Sequence, residues 1–199
     1  MSFNKNIFIN CPFDSDYHPL LKSLIFTILY FKFEPQISIT KSSGKPRIAE
    51  IIELIKGSKY SIHDISRCEP GDLPRFNMPY EMGLDLGCFN FGNAQQRSKK
   101  CLILEKVKNR YDIVISDISG QDIEEHNNSP RKLIGKVMKW LFDTGAIKSS
   151  ERIGLTAIWS KYLDCNAKIE VTLTSSGFTK KEIKNLAISQ YIEVMKEVL

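Results

Sequence analysis

Apolar residues along this chain fall into short unbroken runs and longer helical stripes that alternate with one another. Ile7-Phe8-Ile9 is a strand-length run closed by Asn10-Cys11-Pro12, and it predicts a buried first strand. From Tyr17 to Phe33 the spacing of Leu20, Leu21, Leu24, Ile25, Ile28 and Leu29 is helical, with Asp14, Ser15 or Asp16 available as a cap. Pro35 to Thr40, with Ile37 and Ile39 alternating, predicts a second strand, and Ser42 to Pro46 a loop. Arg47 to Lys56 places Ile48, Ile51, Ile52 and Ile55 on one helical face before Gly57. Tyr60 to Ile65 reads as a third strand.

The polar segment Ser66 to Pro74 predicts a loop. Met78 to Phe89 predicts a helix that starts at or near Pro79, a residue suited to a first turn. Cys101 to Leu104 is an uninterrupted run of the kind a central parallel strand needs. Tyr111 to Ile118 is expected to hold a weaker fifth strand, and Ser129-Pro130 to open a long helix ending near Gly145. The expected fold is therefore α/β: a flavodoxin-like, five-stranded parallel sheet with helices on both faces. After about residue 148 the pattern turns helical, over Ile153–Leu163 and Thr179–Leu199, with a turn at Ser175-Ser176-Gly177. The expected division is an α/β domain over 1–148 and a helical extension over 149–199, packed on that domain or on a partner.

Composition narrows the function classes. The 199 residues carry 28 basic and 23 acidic side chains, a formal net charge of +5. This balance suits an anionic ligand. No Lys/Arg stripe with interleaved aromatics appears, so no direct nucleic-acid contact is expected. Five cysteines, an odd number with no Cys-x-x-Cys pair, argue against a disulfide scaffold or zinc ribbon and for a reduced, cytoplasmic protein. The stretch Leu20 to Phe33 is interrupted by Lys22, Ser23, Thr27 and Lys32 and is too short to span a bilayer, so no membrane partner is expected.

Ligands of open α/β sheets bind beyond the carboxyl ends of the strands where strand order reverses, here between the first and third strands. That points to Asn10 and Phe13 after one strand, and to Asp64, Ser66 and Arg67 after the other. Neither a G-x-G-x-x-G turn nor a P-loop is present, which disfavours a dehydrogenase or a P-loop NTPase. A phosphate would instead use a helix N-terminus with Arg47, Arg67 or Arg75. Arg67 and Arg75 fit a solvated surface equally well. Asp64 fits a ribose hydrogen bond or a loop cap. Phe13, Phe76 and Tyr80 fit base stacking or core packing. His63 reads as a packed histidine, Cys11 as structural and His126 as a loop residue. His18, His63 and His126 have no metal-ligand spacing. Glu81, early in an apolar helix with Gly83 and Gly87, fits a ligand-facing acid or a favourable charge on the helix dipole.

Four ordered blocks, at residues 8–17 (FINCPFDSDY), 61–67 (SIHDISR), 74–87 (PRFNMPYEMGLDLG) and 116–122 (SDISGQD), resemble bacterial TIR-like and nucleoside 2-deoxyribosyltransferase-like domains, of the kind found in antiphage defence. The resemblance spans roughly residues 6 to 145. It implies that Glu81 is catalytic and engages the ribose while the bond to the base breaks. By their places at and beside the switch point, Asn10, Phe13, Asp64, Ser66, Arg67, Arg75, Asn77 and Tyr80 are expected to surround the substrate. The expected substrate is a nucleotide, NAD, with no separate cofactor and no metal. A deoxyribosyltransferase or hydrolase and a non-catalytic nucleotide-sensing module are the alternatives. The family's Ser or Asp residues after the first strand are replaced here by Asn10-Cys11-Pro12-Phe13. The resemblance further implies a homo-oligomer or a defence-system partner protein, with activity that grows on association.

Overall fold

The computed structural model describes residues 2–38, 46–68 and 75–199. Five strands, β1 (Asn6–Asn10), β2 (Glu34–Gln36), β3 (Tyr60–Asp64), β4 (Lys100–Glu105) and β5 (Ile123–Glu125), form one sheet in the order β2-β1-β3-β4-β5. Every pairing is parallel. This is the flavodoxin-like order, and its reversal lies between β1 and β3.

Period-two alternation decides which helices cover which face. Ile7 and Ile9 of β1, Tyr60 and Ile62 of β3, and Leu102 and Leu104 of β4 share one core cluster with α1 (His18–Tyr30) and α5 (Pro130–Asp143). On the other face Phe8 packs with Ile51 and Ile55 of α2 (Arg47–Lys56), and Ile103 packs with Met82 of α3 (Asn77–Phe91). Each Leu or Ile fully withdrawn from water contributes roughly 1.5–3 kcal/mol, so the four-residue stripe Leu21, Leu24, Ile25 and Ile28, all 0% exposed, anchors α1.

The fifth strand is not within Tyr111–Ile118. That segment is a single turn of α4 (Tyr111–Val114) followed by a 3-10 turn over Ser116–Ile118, and β5 lies at Ile123–Glu125. Its apolar alternation fits a turn because the Glu105 carboxylate accepts the Tyr111 N–H at 3.1 Å and starts a helix there. The second strand is shorter than expected and contains Pro35, tolerable on this edge strand, while Ile39 and Thr40 lie outside the described residues. The chain after 148 forms α6 (Leu155–Ser175), α7 (Lys180–Lys184) and α8 (Ile188–Val198). α6 runs well beyond Leu163, and the last expected helix breaks in two after Lys184. Ile158, Tyr162, Cys165, Ile169, Leu173, Tyr191 and Met195 belong to the same core cluster as α1 and α5, so these helices form a third layer on that face. Tyr191 is 3% exposed and donates to Asn166 at 2.8 Å inside the chain. Among the described residues no helix is long and apolar enough to cross a membrane.

Candidate active site

β1 delivers Asn10 and β3 delivers His63 and Asp64 to the point where strand order reverses. The Asn10 amide donates to the Met78 carbonyl at 2.8 Å and lies 3.0 Å from His63 Nδ1. It thereby ties the first turn of α3 to the ends of both strands. Glu81 follows one turn on. With Asn77 and Tyr80 of α3, and Arg47, Ile48 and Ile51 of α2, it lines a cleft of about 320 Å³.

Glu81 is only 7% exposed, and among the described residues its carboxylate has no hydrogen bond or ion pair. Burial pushes its pKa up, against the opposing pull of Arg47 and His63. A buried acid with no hydrogen bond or ion pair among the described residues carries a desolvation cost, and groups of this kind cluster at functional sites. Tyr80 (59% exposed) and Asn77 stand at the rim.

Beneath α3 lies a buried polar chain. Asp85, one turn after Glu81, accepts from Ser61 Oγ, lies 3.1 Å from His63 Nε2 and pairs with Lys99 Nζ at 3.0 Å. Lys99 also donates to the carbonyls of Ile55, at 2.8 Å, and Ser58. Burial works against the Asp85 charge, but His63, Lys99 and Ser61 prevail and hold its pKa at about 2. Burial lowers the proton affinity of the His63 ring, while Cys101 and Asp85 raise it and win. Asn10 and Asp85 thus stand at the two ring nitrogens of His63 and fix the plane of the ring. Donor atoms of His63, Asp85 and Cys101 lie within 4.8 Å of one another, close enough to share a cation. The Lys99 ammonium already supplies that positive charge, so the set does not fit a metal.

Asp64 is not presented to a ligand. It is 0% exposed; its Oδ1 accepts the Ser66 N–H at 2.9 Å and its Oδ2 meets Tyr17 Oη at 2.5 Å and His126 Nε2 at 3.0 Å. Ser66 Oγ lies 3.1 Å from the same His126 nitrogen. Ser, His and Asp therefore meet here, but not as a catalytic triad. A triad uses both ring nitrogens, whereas here the serine and the aspartate crowd Nε2, and Nδ1 accepts the Asn128 N–H at 3.0 Å. Asn127 (φ 50°) and Asn128 (φ 53°) adopt left-handed backbone to make that contact, which asparagine tolerates. His126, expected as a loop residue, is thus a buried partner of Asp64.

The remaining expected residues divide. Arg67 pairs with Asp14 at 2.8 Å, and Arg75 approaches the same carboxylate at 3.9 Å, so this surface pair is engaged with Asp14 and not with the cleft. Asp14 also accepts the Tyr17 N–H at 3.1 Å near the start of α1. Phe13 is half-buried against the α1 side of the core. Asn10 and Ser66 serve internal hydrogen bonds. Cys11 is buried; its pKa is pushed up by burial and then by Asp64, Glu81 and Asp14, which places three carboxylates around the end of β1. Of the expected set, Asn77, Tyr80 and Glu81 share the cleft; Ile48 and Ile51 join them unforeseen, and of the three arginines expected as phosphate partners Arg47 alone lines it among the described residues. Larger clefts exist: one of about 580 Å³ beside the C-terminal halves of α2 and α3 has no acid in its lining, and one of about 550 Å³, lined by Asp122, Glu124 and Asp143, sits at Lys100, the opposite end of β4 from the switch point. Comparison with protein-family models, with curated proteins and with solved structures finds no match for this chain.

Proposed function

We propose that this protein cleaves the N-glycosidic bond of a nucleotide, with NAD as substrate and Glu81 as the catalytic carboxylate. The observation that carries the reading is Glu81 itself, buried and unpartnered among the described residues in a cleft at the sheet's switch point. The resemblance to TIR-like and deoxyribosyltransferase-like domains supports the same residue in the same role, and it suggests cytoplasmic defence signalling as the setting.

Breaking the bond from ribose C1′ to nicotinamide sends the electron pair to the ring nitrogen and neutralises the pyridinium. Positive charge builds on the sugar, as in glycoside hydrolysis. A fixed carboxylate beside C1′ stabilises that charge or traps it covalently before water or a hydroxyl completes the exchange. Nicotinamide leaves without protonation, so one carboxylate suffices. Tyr80 offers a ring face to the base.

The test is chromatography of products after incubation of the full chain with NAD and, separately, with deoxynucleosides. Nicotinamide with an ADP-ribose product is expected. Free base from deoxynucleosides with NAD intact would replace this reading with deoxyribosyl transfer or hydrolysis. No product from either would replace it with a nucleotide-binding role.

A further inference from the structure

The Glu81 cleft has a second charged wall. Arg47 is the first residue of α2; it is exposed and makes no hydrogen bond or ion pair among the described residues. Pro46 occupies the capping position, and among the described residues no side chain caps this helix. The N–H groups of a helix's first turn and the positive end of its dipole favour an anion. Here they stand beside a guanidinium with no ion pair among the described residues, whose planar fork matches phosphate.

Glu81 is the independent observation: a polar side chain more than nine-tenths buried, without partners among the described residues, lining the same cleft. A cleft with an anion receptor on one wall and a buried carboxylate on another has the polarity of a ligand that is anionic at one end and develops positive charge at the other. Ile48 and Ile51 give an apolar surface between them, suited to the carbon face of a sugar. The volume, about 320 Å³, sits at the low end of the roughly 300–1,000 Å³ of small-molecule sites. It is of the size of one sugar-phosphate unit with its base.

We infer that this cleft is a subsite for a single ribosyl 5′-phosphate unit, with the phosphate on Arg47 and the start of α2, C1′ over Glu81, and the base against Tyr80. The sugar's identity rests on the reading proposed above; the phosphate rests on α2. A substrate such as NAD would enter by its nicotinamide mononucleotide half, and the unphosphorylated riboside would be discriminated against.

The experiment uses the full chain carrying Glu81→Gln, so that ligand is bound but not consumed. Nicotinamide mononucleotide and nicotinamide riboside are titrated by calorimetry, with and without Arg47→Ala. The mononucleotide should bind roughly 10- to 100-fold more tightly than the riboside, the scale of a charge-assisted hydrogen-bonded pair. Arg47→Ala should erase that difference by weakening the mononucleotide alone, and Arg47→Lys should restore part of it. Because Arg47 is exposed, the melting temperature should not move. Equal affinities with Arg47 intact, equal losses for both ligands on its removal, or no binding of either would overturn the inference. A phosphate preference without base release by the wild-type chain would overturn the cleavage reading and leave this one standing. Base release without a phosphate preference would do the reverse.

Discussion

Asp85→Asn probes the buried chain that holds α3, and hence Glu81, against the sheet. Asp85 is 1% exposed and Lys99 3%. At ~1.36 kcal/mol per pK unit, a carboxyl held at about 2 instead of 3.8 contributes about 2.5 kcal/mol to folding. The substitution also strands the Lys99 ammonium with only the carbonyls of Ile55 and Ser58. Breaking a buried pair from one side typically costs about 3–5 kcal/mol, so the two estimates agree in scale, and a loss of about 3 kcal/mol is expected. Against a total of roughly 5–15 kcal/mol this is a large fraction. Urea unfolding followed by far-ultraviolet circular dichroism measures it. The sign with pH follows from the depressed pKa: the advantage of wild type is complete above the unfolded value near 4 and fades as pH falls toward about 2. A loss under about 0.5 kcal/mol, or a wild-type advantage that stays flat across that interval, would refute the reasoning.

Asp64→Asn should lower the melting temperature, through lost hydrogen bonds to Tyr17 and His126 worth about 1–3 kcal/mol, and leave the KM of any turnover unchanged; a raised KM at unchanged stability would return Asp64 to the ligand site. Tyr191→Glu buries an unpaired charge under α6 and should reduce unfolding free energy by several kcal/mol in a melting experiment; an unchanged melt with altered oligomeric mass in light scattering would place Tyr191 at an interface instead. Because burial raises the Glu81 pKa, the acid limb of the kcat profile should lie above the ordinary carboxylate range; a limb at or below that range would contradict ionised Glu81 as the active form.

The sheet was legible because its central strands are buried on both faces. Ile7-Phe8-Ile9 and Cys101 to Leu104 had to be apolar runs, and α1 and α5 had to carry wide stripes. The edge was not legible. β5 is Ile-Glu-Glu, half-buried throughout, and carries almost no hydrophobic signal. The preceding Tyr111–Ile118 imitates a strand until Glu105, six residues before Tyr111, captures its N–H. α6 outran its expected end because its second half buries only the thin stripe Cys165, Ile169 and Leu173. At the site, Glu81 and Tyr80 could be read from their place early in α3. Ile48 and Ile51 could not be separated from an ordinary core face, because only the packing of α2 beside α3 brings them to Glu81. Asp64 and His126 could not be paired in advance either: Ser66, which shares the ring, is 60 residues from it. A polar residue at a strand end looks the same whether it faces a ligand or a buried histidine.

The most direct measurement is nicotinamide release from NAD by wild type and Glu81→Gln, with the melting temperature of each. Removing one electrostatic catalytic group costs at least ~100-fold in rate. Neutralising a buried, unpartnered carboxylate whose pKa is raised by burial relieves a cost present at neutral pH, so the variant should melt at or above the wild-type temperature. Loss of turnover with an unchanged or raised melting temperature is the predicted result. Turnover within about threefold of wild type, well short of the loss expected for such a group, would contradict the assignment of Glu81.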